Sequence, residues 1–183
     1  MANKTLQKYP FAVSILHGLV GLAMLSTLVI GWLLDDHEEL MKLHRSLGVT
    51  VILLVILRIA VRISHRSALP RSVNQTGSLA YLAEKSVHGL LYLSMLAVPL
   101  LGWLKTNASG HAASFFGVFD LPRLMAKNPG LSHVLGGAHS LSATIFALLV
   151  GLHVAGALAH LVTHKDNVFK RILPYPVMRQ AEK

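Results

Sequence analysis

Apolar residues fall along this chain in four long blocks, and short polar stretches separate them. An α-helix rises about 1.5 Å per residue, so about 20 mainly apolar residues cross the hydrocarbon core of a bilayer. Four segments reach that length: about 11–34 (FAVSILHGLVGLAMLSTLVIGWLL), 43–63 (LHRSLGVTVILLVILRIAVRI), 81–104 (YLAEKSVHGLLYLSMLAVPLLGWL) and 134–161. The pattern predicts an all-α protein: a four-helix transmembrane bundle forming one domain over residues 1–183. The first block is too long for a secretory signal core, shows no small-x-small cleavage pattern and holds His17 in its apolar run, so it reads as a retained span. The connections are DDHEELMK, SHRSALPRSVNQTGS and about 105–133. The last is the longest and carries Gly110, Gly117, Pro122, Pro129 and Gly130. Its FFGVF centre is too short to cross and suits the membrane interface.

Composition agrees with an apolar solvent. Hydrophobic residues make up 53% of the chain and charged ones 14%, against about 25% charged in an average soluble domain. Cysteine is absent, which excludes disulfides, thiolate-held clusters and haem attached covalently through C-x-x-C-H. The net charge of +9 would raise the question of nucleic acid in a soluble protein. Here the cations lie between apolar blocks with no basic stripe among surface aromatics, so the partner they suit is membrane lipid and not nucleic acid. Lys4, Lys8, Arg58, Arg62, Arg66, Arg71, Lys85, Lys165, Lys170, Arg171, Arg179 and Lys183 fall on one side of the membrane. Lys42, Arg45, Lys105, Arg123 and Lys127 fall on the other. The positive-inside rule then puts both termini in the cytoplasm.

Histidine is the residue that composition leaves unexplained. His37, His65, His111 and His164 lie in or beside the predicted connections, and His133 near the end of the last one; solvation or capping accounts for them. His17, His44, His88, His139, His153 and His160 lie on spans, where an unpaired imidazole is costly. His139 and His153 are fourteen residues apart, nearly four helical turns, so they share a face and stand about 21 Å apart along the axis. One metal cannot use both, but two sites, one per leaflet, can. With alternating span directions, His153 is level with His17 on the cytoplasmic side, and His139 is level with His44 on the outer side. Depth alone leaves His88 as an equal alternative to His17. Two facing imidazoles per level suit axial ligation of a non-covalent b-type haem, and Gly18, Gly48, Gly136, Gly137 and Gly151 leave room nearby for a flat macrocycle. The competing reading is that of ordinary interhelical hydrogen-bond partners. Arg58, fourteen residues past His44, suits either a haem propionate or lipid phosphate reached by snorkelling. His160, one heptad past His153, suits either a quinone carbonyl or a plain interfacial position.

The tail GLHVAGALAHLVTHKDNVFKRILP, together with SILHGL in span one, LHRSLGVTVILLVILRIAVR in span two and HGLLYLSMLAVPLLGWL in span three, resembles the bacterial cytochrome b561 family over nearly the whole chain. The resemblance implies two haem b groups held by His17, His153 (cytoplasmic side) and His44, His139 (periplasmic side), with His88 not a ligand. It implies a quinone site near His160, although the family's second histidine just after it is Leu161 here. Such proteins pass electrons between a periplasmic donor and the ubiquinone pool of the bacterial inner membrane, and some members oxidise superoxide. An anionic substrate asks for an electropositive entrance. The first outer connection opposes that with Asp35, Asp36, Glu38 and Glu39; Lys42, Arg45, Lys105, Arg123 and Lys127 are what could offset it locally. A haem subunit relaying electrons for a partner dehydrogenase is the main alternative. A histidine-lined metal transporter is a weaker one, because Glu84 is the only acid near a span interior and a moving cation needs carboxylates.

Overall fold

The structure, a computed structural model, describes residues 7–34, 36–164 and 168–174. Lys4, Asp35, Lys165, Asp166, Asn167, Arg179 and Lys183, which enter the charge and motif readings above, lie outside the described residues. Four long helices dominate: α1 (Phe11–Leu33), α2 (Met41–Ser64), α3 (Leu79–Ala108) and α4 (Pro129–Ala159). Each is long and apolar enough to cross a membrane. Their outward surfaces are apolar as well: Leu22 is 66% exposed, Leu93 64% and Leu148 70%. Contiguous exposed hydrocarbon of this extent is untenable in water and is what a lipid-facing surface requires. The protein is a four-helix transmembrane bundle.

Cap chemistry, which hydropathy does not register, sets where the helices begin. Ser78 accepts a hydrogen bond from the Tyr81 amide at 3.2 Å and starts α3. Asn128 accepts from the Leu131 amide at 3.0 Å, and Pro129 follows at the first helical position, where its fixed φ fits and its missing N–H costs nothing. The α4 helix thus starts before residue 134, and the third connection shortens to 109–128.

The chain runs up, down, up and down. At one end, hereafter the terminal end, Arg171 of the short helix α5 (Val168–Ile172) donates to the carbonyls of Gln7 at 3.1 Å and Arg71 at 2.7 Å. The Tyr9 amide returns a bond to the Arg171 carbonyl at 3.0 Å. A single π-type turn, His160–His164, leads α4 into this end. Glu84 ties the second connection to α3 by accepting hydrogen bonds from Ser72 Oγ and, at 2.9 Å, from Asn74 Nδ2.

At the opposite, loop end the FFGVF segment forms a feature that a helical reading does not anticipate. Strands β1 (Ser114–Phe115) and β2 (Phe119–Asp120) pair antiparallel with Phe115 opposite Phe119. Phe116 and Gly117 both have positive φ, 50° and 74°, as the central positions of a type I′ turn demand, and the Val118 amide closes that turn on the Phe115 carbonyl at 2.9 Å. Ser46 of α2, only 4% exposed, clamps this hairpin to the bundle. Its hydroxyl accepts from the Phe116 amide at 3.0 Å and lies 3.2 Å from the Ser114 carbonyl and 2.9 Å from the Lys42 carbonyl. Ser46→Ala leaves the part-buried Phe116 amide without its acceptor, at a cost of about 1 kcal/mol. Hydrogen exchange at the Phe116 amide is expected to accelerate while the helices keep their protection; unchanged exchange would refute the clamp.

Halfway between the ends, all four helices contribute to one core: Val20 and Met24 of α1, Val51 and Val55 of α2, Met95 and Val98 of α3, and Phe146 of α4. This layer divides the bundle interior into two compartments.

Candidate functional site: two facing histidine pairs

Each compartment holds a pair of imidazoles. At the loop end the rings of His44 and His139 are 6.1 Å apart between centroids, with planes at 90°. At the terminal end His17 and His153 are 6.2 Å apart, at 69°. A metal–imidazole bond is about 2 Å and the nitrogen lies about 1 Å from its ring centre, so two rings on opposite sides of one metal ion have centroids about 6 Å apart. Both pairs have that separation. His88 and His153 are closer, at 5.0 Å and 88°, an edge-to-face contact that is too short for a shared metal. His88 instead has Nδ1 at 2.7 Å from its own helix's Glu84 carbonyl.

One imidazole at the loop end is oriented by backbone. His139 Nδ1 lies 2.9 Å from the Val98 carbonyl of α3. A hydrogen bond from Nδ1–H to a carbonyl fixes the tautomer that leaves Nε2 free as a ligand. His44 Nδ1 is buried with no hydrogen-bond partner among the described residues. Pro99, inside α3 beside Val98, withholds the amide that would bond the Met95 carbonyl.

A cavity of about 710 Å³ surrounds the loop-end pair and takes lining from all four helices. That is within the roughly 300–1,000 Å³ of cofactor sites. Its walls are mainly apolar (Met24, Leu28, Val49, Ile52, Phe146), with Arg45 and Lys105 as the charged lining residues and no carboxylate among the described ones. The buried indole N–H of Trp103, also in the wall, has no protein partner among the described residues. Facing imidazoles, a mainly apolar slot and two cations in its lining form a donor set that fits a bis-histidine haem with its propionates.

Of the acidic first connection, neither Asp36 nor Glu39 lines the cavity; Glu39 is engaged by His37 at 3.1 Å. Among the described residues the charged lining of the cavity is therefore cationic despite the DDHEEL sequence. At the terminal end Arg58 donates from Nε to the Tyr92 hydroxyl at 3.4 Å, and its guanidinium lies 5.7 Å from the Tyr92 ring centre. Its Nη1 is buried without a partner among the described residues, an arrangement that calls for an anion. His160 is half-buried at the C-cap of α4.

Among the glycines singled out for room, a Cβ on Gly18, Gly48, Gly137 or Gly151 would meet nothing within 4 Å, and Gly48 lines the cavity. Gly136 instead abuts the Lys105 side chain at 3.6 Å. Sequence reasoning missed Gly31 and Gly102, whose Cβ positions lie 3.1 Å from the rings of His44 and His139 respectively. The signal was present: both begin a Gly-Trp-Leu triplet near the loop end of the two helices that run in the same direction.

The sequence matches the family model for prokaryotic cytochrome b561 over residues 8–175. It is 29% identical over 143 residues to Cytochrome b561 homolog 2 of Escherichia coli (strain K12), covering 78% of this chain and 73% of that one. It is 30% identical over 131 residues to Cytochrome b561 homolog 1 of the same organism, covering 72% and 73%. It is 27% identical over 159 residues to the Probable superoxide oxidase CybB of Yersinia pestis, covering 85% and 88%. With a match over almost the whole bundle, the chain belongs to the prokaryotic cytochrome b561 family, multi-pass membrane proteins that bind b-type haem and transfer electrons.

Proposed function

We propose that the protein is a diheme cytochrome of the bacterial inner membrane that carries electrons from superoxide on the periplasmic side to ubiquinone, with both termini in the cytoplasm. The observation that carries this reading is the presence of two imidazole pairs with metal-spanning separations of 6.1 and 6.2 Å at opposite ends of one bundle. His44 and His139 hold the outer haem b, and His17 and His153 the inner one. When bound, the haems supply one-electron chemistry; what the chain supplies is placement, insulation and charge.

At the outer site Arg45 and Lys105 attract an anion and balance propionate charge, while the apolar wall keeps water from the irons. At the inner site Arg58, braced by Tyr92, offers its unpartnered Nη1 to a propionate. His160, one heptad beyond His153 and about 10 Å nearer the terminal end, lies at the depth where a quinone carbonyl accepts a hydrogen bond. Two superoxide anions release two electrons and become dioxygen; ubiquinone takes those electrons with two protons and becomes ubiquinol. The superoxide assignment draws on the name of the Yersinia pestis relative and on a cavity that has cations and no carboxylate among its described lining.

Purified protein in detergent, supplied with a superoxide source and a soluble ubiquinone, is expected to form ubiquinol without any partner. Haem reduction by superoxide with no quinone turnover would instead identify a relay subunit. Neutralising both cations (Arg45→Gln with Lys105→Gln) is expected to slow the superoxide-driven rate about tenfold and flatten its salt dependence, since steering of a small anion is worth about that much or more and is screened by salt. A rate unchanged by both substitutions would remove superoxide from the reading.

A further inference from the structure

The two sites follow one construction rule. On each helix the site residues are fourteen positions apart: His17 and Gly31 on α1, His44 and Arg58 on α2, His88 and Gly102 on α3, His139 and His153 on α4. Fourteen residues are nearly four full turns, so each pair shares a face and reaches both compartments. Every helix thus places one residue in each layer. At the loop end α2 and α4 supply the imidazoles, and α1 and α3 supply the glycines behind them. At the terminal end α1 and α4 supply the facing imidazoles, α2 supplies Arg58, and α3 supplies His88 in the position that Gly102 holds above.

The contacts give this arrangement a mechanical consequence. A Cβ on Gly102 would come within 3.1 Å of His139 Cε1 and 3.2 Å of its Nδ1; one on Gly31 would come within 3.1 Å of His44 Cε1. Each ring is therefore seated against the bare backbone of the neighbouring helix, and His139 is also held by its 2.9 Å bond to the Val98 carbonyl. The ring planes stand at 90°. At the terminal end His153 meets not a glycine but the edge of the His88 ring, and the facing planes stand at 69°.

We propose that Gly31 and Gly102 are positioning residues that lock the two imidazoles of the loop-end site crosswise, and that His88 takes the equivalent place behind His153, giving the two sites different ligand geometries. This rests on the bis-histidine reading above. Crossed axial imidazoles leave two of the iron d orbitals nearly equal in energy and give low-spin ferric iron a strongly axial paramagnetic resonance signal with a large maximum g value. Rotation toward parallel planes separates the orbitals and makes the signal more rhombic.

The test is electron paramagnetic resonance on oxidised, fully haem-loaded protein. Wild type is expected to show two distinct low-spin signals, and the more axial one is the one that His139→Ala removes. Gly102→Ala is expected to shift that signal toward the rhombic form or to abolish it, leaving the other signal in place; Gly31→Ala should act in the same way from the opposite ring. A wild type whose two signals coincide, or glycine variants whose spectra superimpose on wild type or move both signals alike, would overturn the proposal. Failure of the underlying reading has a different signature, a wild type that lacks two low-spin ferric haems.

Discussion

Replacing His17 by alanine is expected to halve the haem content of the purified protein, from two per chain to one, while His88→Ala leaves it at two. Depth along the helices does not separate these residues, since both lie level with His153. Separation between rings does: the centroids of His17 and His153 are 6.2 Å apart, and those of His88 and His153 only 5.0 Å. A shared metal needs about 6 Å between facing ring centres. His88 is also engaged with the Glu84 carbonyl at 2.7 Å, which holds its ring beside His153 and not opposite it. Haem per chain, measured from the pyridine adduct, decides the matter. His153→Ala should match His17→Ala, and His139→Ala or His44→Ala should remove the other haem. Retention of two haems by His17→Ala together with loss of one by His88→Ala would reverse the assignment.

The contrast between these two histidines marks how far the sequence alone could be read. Its long apolar blocks announce the bundle, because hydrocarbon solvent leaves a chain few options beyond helices of about 20 residues. The fourteen-residue step between His139 and His153 announces two levels, because the helical repeat turns sequence distance into height and face. What periodicity does not encode is distance between helices, and that is what distinguishes His17 from His88. The same holds for Gly31 and Gly102: a glycine signals permitted closeness, yet only the packed bundle shows which ring fills the space. At the first connection, charge counted along the chain pointed to an acidic surface. Folding turns Arg45 and Lys105 into the cavity and leaves Asp36 and Glu39 outside its lining. The hairpin at Phe115–Phe119 escaped a helical reading because it rests on two consecutive positive-φ residues, Phe116 and Gly117, and on a buried serine hydroxyl 70 positions from Phe116 in sequence.

The last expected effect falls on the partition between the two sites. Phe146 is seven residues from His139 and seven from His153 on the same helix, so its ring enters the bundle midway between the two levels, and it is 2% exposed. It packs with Val20, Met24, Val51, Val55, Met95 and Val98 and also forms part of the wall of the loop-end cavity. Truncating such a ring to a methyl removes its dispersion contacts and leaves a void that the neighbours close only in part, which costs about 3–5 kcal/mol. For a chain of this size that corresponds to a loss of roughly 10 °C in thermal midpoint. Phe146→Ala protein is therefore expected to unfold at markedly lower temperature in detergent while still carrying both haems, because none of the four facing imidazoles is touched. Phe146→Leu, which keeps more of the volume and remains apolar, should recover most of the loss. If alanine at this position left the thermal midpoint unchanged, the mid-bundle layer would not be the packed wall that keeps the two compartments apart, and the independence of the two sites would need another origin.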